Sequence, residues 1–325
     1  MIVSPAFAGK RYAVLGLART GLAVVRTLLA SGAEVIAWDS RDEPRQAVAA
    51  AFGARVTLAD PVTADLAGCE GVIVSPGVPL NRHPISEAAA RHGVPVIGDI
   101  ELFALARPSL PPHRVVGITG TNGKSTTTAL VHHLLEVNGL PSRMGGNIGL
   151  PVLGQEALAP NDKGEGVYVL ELSSYQIDLT LSLACEAAAL LNITPDHLDR
   201  YGNFEAYATS KARLFAMQRT DQHAVFGQSD AETLGLAARE KLRRGPSFVH
   251  TVDGANIVAW QGEWPSLQGP HNLQNAAVAV ALCETLGLTA EQCRAGLASF
   301  RGLPHRMGRV AEANGVSFIN DSKAT

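Results

Sequence analysis

The segment Val115-Val-Gly-Ile-Thr-Gly-Thr-Asn-Gly-Lys-Ser-Thr126 constrains the fold more than any other part of the chain. A short β-branched run leads into a glycine-punctuated turn, and a helix-favouring stretch follows at once. That order is strand, tight loop and crossover helix, the repeating unit of an α/β sheet. It also makes a phosphate cradle. Backbone N–H groups of the turn and the helix N-terminus present donors and a positive dipole to phosphate oxygens, Lys124 adds a point charge, and Ser125 offers a hydroxyl to Mg²⁺. The longer consensus needs a glycine six positions before the lysine, where Ile118 stands, so the form present is Gly120-Thr-Asn-Gly-Lys-Ser-Thr126.

The same alternation runs on both sides of this segment. Apolar runs at residues 12–15, 34–38, 71–74 and 94–97 alternate with helical patterns at 20–31 and 85–92. After the cradle, apolar runs at 167–172, 187–193 and 223–226 alternate with helical patterns at 125–138, 206–215, 273–286 and 290–300. Between the two series, Arg107-Pro-Ser-Leu-Pro-Pro-His113 carries three prolines in seven positions, which suits neither helix nor strand and reads as a linker. With about 150 residues per domain as the size expectation, the 325 residues divide into a first domain at 1–107, a central domain at 112–302 and the beginning of a third at 303–325. Residues 310–311 and 316–320 read as the opening hairpin of that third unit.

Charge narrows the ligand class. The net charge of −3 and the absence of a basic run exclude the electrostatic footprint of a nucleic-acid binder, so the phosphates in question belong to small molecules. No membrane partner is expected, because no stretch of about 18 apolar residues occurs, and nothing at the N-terminus directs export, so the expected location is cytoplasmic. The four cysteines, Cys69, Cys185, Cys283 and Cys293, lack metal or redox spacing and read as reduced thiols.

Several groups are then placed for chemistry at strand ends, where an open α/β sheet binds its ligands. Gly16-Leu-Ala-Arg-Thr-Gly21 follows the first strand, and Asp39 ends the second, 18 positions after Gly21. This is nearly a dinucleotide fingerprint, but Ala18 stands where the middle glycine would let backbone approach a pyrophosphate. A nucleotide-like ligand and a purely structural turn both remain open, as they do for Val74-Ser-Pro-Gly-Val78, where Ser75 and the backbone around Gly77 could line a pocket. Glu171 closes the run Val167-Tyr-Val-Leu170 beside the cradle, a common position for a Mg²⁺ ligand. The loop Asn192-Ile-Thr-Pro-Asp-His-Leu-Asp-Arg-Tyr201 packs Asp196, His197 and Asp199 into four positions, with His197 the favoured functional member. Lys211, on its own, reads as a solvated helical lysine.

With Gly145-Gly-Asn-Ile-Gly149, Leu170-Glu-Leu-Ser-Ser174, Asp196-His-Leu-Asp-Arg200, Gly269-Pro-His-Asn272, Gly302-Leu-Pro-His-Arg306 and Asn320-Asp-Ser-Lys-Ala-Thr325 added to the cradle, the chain resembles the Mur ligases, and within them the members that add D-glutamate. The resemblance implies a Rossmann-like first domain that binds UDP, a central P-loop ATPase-type α/β domain, and a third, Rossmann-like domain of which only the start is present. It implies an ATP-dependent ligase of cell-wall precursor synthesis that joins D-glutamate to UDP-N-acetylmuramoyl-L-alanine through an acyl phosphate and acts as a monomer. By motif, Arg19, Thr20, Asp39, Ser40, Arg41 and Gly77 would surround the uridine diphosphate, and Asn147, Ser173 and Tyr175 would face the muramoyl-alanine. Gly120, Thr121, Asn122, Gly123, Lys124, Ser125 and Thr126 would hold ATP phosphates, with Asn272, Asn275, Arg306 and Asp321 reaching the adenosine or its phosphate. Ser125, Glu171, His197 and Lys211 would serve magnesium, and Lys124, His197 and Lys211 catalysis. Lys211 matches the lysine that the family carbamylates, which turns an ammonium into an oxygen ligand. The missing remainder of the third domain leads to the expectation that this chain binds its UDP-linked substrate without efficient turnover. Another Mur-type ligase, a NAD-dependent dehydrogenase and a non-catalytic binding fragment are the competing readings.

Overall fold

A computed structural model describes residues 1–303 and the backbone of 308–313 and 316–320. The first sheet contains β1 (Arg11–Leu15), β2 (Glu34–Trp38), β3 (Val56–Leu58), β4 (Cys69–Val74) and β5 (Val96–Ile97), with α1 (Arg19–Ala30), α2 (Asp42–Phe52), α3 (Ile85–Arg91) and α4 (Asp99–Ala106). Its order is β3-β2-β1-β4-β5 and every pairing is parallel. The chain reverses direction of winding between β1 and β4, which opens a crevice at their C-terminal ends. Tyr12 to Leu15 are all buried, because β1 is central and covered on both faces.

The second sheet contains β6 (His113–Thr119), β7 (Ser142–Gly146), β8 (Gly166–Glu171), β9 (Ala187–Leu190), β10 (His223–Gly227) and β11 (Val249–Val252). The order is β11-β10-β9-β6-β8-β7, again all parallel, with β6 at the switch. The associated helices are α5 (Lys124–Val137), α6 (Ser174–Asp178), α7 (Leu198–Tyr201), α8 (Phe204–Ala216), α9 (Ala231–Arg244), α10 (Pro270–Thr285) and α11 (Ala290–Ser299). The expected hairpin is present, with β12 (Gly308–Ala313) antiparallel to β13 (Val316–Asn320). No helix among the described residues is long and apolar enough to cross a membrane.

The two sheets share one apolar cluster. Phe7, Leu28, Ile97 and Phe103 from the first side join Leu153, Tyr168, Leu172 and Ile177 from the second. Phe103 meets Tyr168 edge-on at 4.9 Å. Polar contacts register this joint: Thr27 Oγ1 donates to Leu153 O at 3.0 Å, and Glu101 accepts from the backbone N–H groups of Leu181 and Ser182 at 2.7 and 2.9 Å. The proline-rich connection is fastened too, since Arg107 Nη2 donates to both carboxylate oxygens of Glu186 at 2.9 Å.

Asp99 lies in this joint at the start of α4, buried, with no donor in hydrogen-bond geometry to either carboxylate oxygen. Burial pushes its carboxyl up to about 6, and the Gln176 amide and nearby backbone N–H groups oppose that only in part. The folded state therefore binds more protons than the unfolded one between about pH 4 and 6, so stability falls as pH rises through that window and stays lowered above it. Asp99→Asn is expected to stabilise the protein at pH 8 by up to about 3 kcal/mol and hardly at all at pH 4. Urea midpoints at the two pH values check this; equal shifts at both would mean that the carboxyl is not held charged in a dry site.

Candidate active site

The cradle forms as its sequence predicts. β6 ends at Thr119, Gly120 to Gly123 turn, and α5 begins at Lys124. Gly123 has φ 85°, and a Cβ there would lie 2.2 Å from Asn275 Oδ1. Glycine is thus required both by the left-handed backbone and by the close approach of α10. Lys124 Nζ folds back over the loop, donating to Gly120 O at 2.9 Å and Thr121 O at 2.7 Å. The loop is pinned to the end of β9: Asn122 N donates to Asn192 Oδ1 at 2.9 Å, and Thr194 N to Thr121 Oγ1 at 3.0 Å.

A cavity of about 560 Å³ opens in front of this loop, lined by Asn122, Gly123 and Thr126 and, across from them, by Asn272 and Asn275 of α10. Its other walls include Asn192 and His271, which lie in motifs read from the sequence but carry no role of their own there, and Asp230 and Gln274, for which the sequence offers no signal. Asp230 caps α9 at Thr233 N and also accepts from Ile193 N. Arg306 and Asp321 lie outside the described residues.

Lys211 does not behave as the solvated lysine that its helical setting alone implies. It is 1% exposed, and its Nζ donates to Gly120 O at 2.9 Å, the same carbonyl that Lys124 uses. The Tyr207 ring lies 4.5 Å from it. Burial first, and Lys124 second, bring its ammonium down to about 7, with Asp196 and Asp178 pulling weakly the other way. A lysine on the buried face of α8 next to the cradle is a tertiary fact, and helical spacing alone carries no sign of it.

Glu171 closes β8 next to the cradle. Its Oε1 accepts from Asn147 Nδ2 at 2.9 Å, whereas Oε2 is buried without a partner. Asn147, expected to face a substrate, orients this carboxylate with its side chain. Ser173 caps α6 in a reciprocal box with Gln176, so its hydroxyl is used within the helix end. His197 takes a left-handed backbone, φ 52°, at the start of α7, with its ring 5.0 Å from that of Tyr175. Among the described residues no three His, Cys, Asp or Glu side chains gather into a preformed metal cluster.

A second cavity, about 360 Å³, occupies the crevice of the first sheet and is lined by Gly16, Asp39, Ser40 and Gly77 together with Trp38 and His83. Asp39 is 7% exposed: Oδ2 accepts from Leu17 N at 2.8 Å, and Oδ1 from Arg41 N at 3.0 Å. Burial would raise its carboxyl, but these N–H groups and the Arg41 guanidinium outweigh it and leave it below the usual carboxylate range. The acid therefore clamps the glycine turn as well as facing the cavity. Ser75 likewise latches the turn, donating to Gly16 O at 3.0 Å. Arg19 and Thr20 open α1 and Arg41 is exposed, and none of the three lines the cavity. Trp38 was missed because a tryptophan closing an apolar run reads as core.

Residues 118–283 match the family described as the Mur ligase middle domain, and residues 10–98 match the Mur ligase MurD-like N-terminal domain. The chain belongs to the Mur ligase family. Among its relatives, the UDP-N-acetylmuramoylalanine--D-glutamate ligase of Novosphingobium aromaticivorans is 66% identical over 325 residues, all of this chain and 71% of that protein. The protein of the same name from Zymomonas mobilis is 50% identical, over all of this chain and 74% of the relative. In fold, the chain is similar to the UDP-N-acetylmuramate:L-alanyl-gamma-D-glutamyl-meso-diaminopimelate ligase of Neisseria meningitides, with a TM-score of 0.60 at 18% identity, covering 91% of this chain and 99% of that one. Both parallel sheets are thus Mur ligase features, and the cradle lies within the matched middle domain.

Proposed function

We propose that this Mur ligase joins D-glutamate to UDP-N-acetylmuramoyl-L-alanine at the expense of ATP, with residues 1–107 holding the UDP and residues 112–302 the ATP. The observation that carries this reading is the convergence of the cradle, Glu171 and Lys211 on one sheet edge, in a chain 66% identical to a ligase of that name. A carboxylate is a poor electrophile because oxide cannot leave. The terminal phosphoryl of ATP is therefore transferred to it first, giving an acyl phosphate, and the amine of D-glutamate then displaces phosphate to form the amide.

The residues divide that work by position. Loop N–H groups from Gly120 to Gly123 and the start of α5 hold phosphate oxygens, and Lys124 neutralises charge spread over them in the transition state. Asn272 and Asn275 face the nucleotide across the cavity. Glu171 suits Mg²⁺, because its Oε2 is buried and lacks a donor, and Ser125 supplies a hydroxyl from the first turn of α5. Such an ion would offset the negative charge of the phosphates. Carbamylated Lys211 and His197 would add ligands to the ion, and Asn147, Ser173 and Tyr175 would position the muramoyl-alanine end. In the first cavity, Asp39 holds Leu17 N and so sets the turn against which the uridine diphosphate rests.

Separate calorimetric titrations with the UDP-linked substrate, Mg-ATP and NAD test the assignment. The first two are expected to bind, and Asp39→Ala is expected to weaken the UDP-linked substrate about 10- to 100-fold, because a charge-assisted contact of about 1.5–3 kcal/mol is lost from the turn. Mg-ATP should be unaffected. Micromolar NAD binding that Asp39→Ala abolishes would overturn the ligase reading in favour of a dehydrogenase.

A further inference from the structure

Arg200 belongs to α7, on the second sheet, yet its guanidinium reaches the first. Nη1 donates to Pro76 O at 3.3 Å and Nη2 to Val78 O at 3.0 Å. Those two carbonyls flank Gly77, which with Val78 and Pro79 forms a wall of the first cavity. The face of the same guanidinium covers the Tyr175 ring at 3.8 Å. A second, longer bond runs alongside, from Asn81 Nδ2 to Asp199 O at 3.4 Å.

The other end of α7 is tied to the cradle. Arg200 N and Tyr201 N both donate to His197 O, so the helix begins at the residue with the left-handed backbone. Thr194, three residues before His197, is bonded to Thr121 of the cradle loop through both its N–H and its carbonyl. A short run of chain, from Thr194 to Arg200, therefore spans from the phosphate loop to the wall of the other cavity. Its two anchors are backbone groups at one end and a planar fork at the other.

We propose that Arg200 is a positioning residue that fixes the wall of the first cavity from the second sheet, so that binding of the UDP-linked substrate there and of nucleotide at the cradle are energetically coupled through α7. The proposal rests on the assignment of the first cavity to the UDP-linked substrate. Its physical basis is geometric: arginine alone offers two parallel donors on a flat, stackable group, and a lysine at this position reaches one carbonyl and leaves Tyr175 uncovered. A substrate that orders residues 76–78 orders Arg200, and with it Tyr175 and the start of α7; a nucleotide that orders residues 121–122 orders the same helix from the far side. Coupling of this kind must be reciprocal.

The test is calorimetry on the full chain with UDP-N-acetylmuramoyl-L-alanine, in the absence and presence of a saturating non-hydrolysable ATP analogue with Mg²⁺. The parent is expected to bind the UDP-linked substrate more tightly when the analogue is present. Arg200→Met, which keeps the stem and loses the fork, is expected to bind it about tenfold or more weakly and to lose the enhancement, with affinity for the analogue alone unchanged within about twofold. Arg200→Lys is expected to fall between the two and guards against a folding defect in the first variant. Parent-like affinity and enhancement in Arg200→Met would overturn the proposal, as would equal weakening of both ligands, which marks a general structural role. If the parent itself fails to bind the UDP-linked substrate, it is the functional assignment that fails.

Discussion

Lys124→Ala is expected to weaken Mg-ATP binding by about 10- to 100-fold, a loss of about 1.5–3 kcal/mol, while leaving the UDP-linked substrate within about twofold. Two contributions add. The ammonium is a charge partner for phosphate, and it also closes the loop on itself through Gly120 O and Thr121 O. Lys124→Arg is expected to recover little, because a planar fork cannot fold into the space where a compact ammonium meets two carbonyls of one turn. Isothermal titration with Mg-ATP reads the effect directly. Unchanged affinity in Lys124→Ala would remove the Gly120 to Thr126 loop from the nucleotide site.

The larger effects concern Lys211. Its amine is brought down to about 7, so a substantial neutral fraction exists at neutral pH, and only the neutral lone pair attacks carbon dioxide. The Nζ–C bond forms, a proton leaves to solvent, and a carboxylate-like group replaces a buried cation. Carbon-13 NMR with labelled bicarbonate is expected to show a carbamate resonance in the parent and none in Lys211→Ala; a resonance that survives the substitution would assign it elsewhere. Stability supplies an independent reading on protein stripped of carbon dioxide. The pKa is lowered from 10.5 to about 7, so the folded state binds fewer protons than the unfolded one between these values. The penalty is full below pH 7 and is relieved as pH rises towards 10.5. Lys211→Met is therefore expected to stabilise the stripped protein by roughly 4 kcal/mol at pH 6, and progressively less above pH 7, in urea unfolding. A stability difference independent of pH would mean that the amine is solvated.

The expectations differ in how much of their physical cause lies within a few residues of sequence. The cradle was legible because a strand, a left-handed glycine and a helix N-terminus are all dictated locally by the run from Val115 to Thr126. Central strands such as β1 and β8 were legible because burial on both faces demands unbroken apolar runs. The edge strands β7 and β3 were not: β7 reads Ser-Arg-Met-Gly-Gly and β3 reads Val-Thr-Leu, and both exist because a neighbour offers them a ladder of backbone partners. The charged α9 lacks a dense apolar pattern, and only Asp230 and the basic last turn mark its two ends.

The sequence by itself determined two parallel α/β units, a phosphate loop between β6 and α5, and a set of acids and amides at strand ends. Tertiary structure decided what those groups do. Asp39 holds the turn from Gly16 to Gly21 with one carboxylate oxygen and Arg41 N with the other, Asn147 orients Glu171, and Lys211 is buried against a carbonyl it shares with Lys124. Arg200 connects the two cavities, and Asp99 is held without a partner where the two sheets meet. Each of these depends on contacts between residues far apart in the chain. Residue type and local spacing govern which backbone shape forms, but desolvation and charge pairing at a site depend on what the rest of the fold brings alongside it.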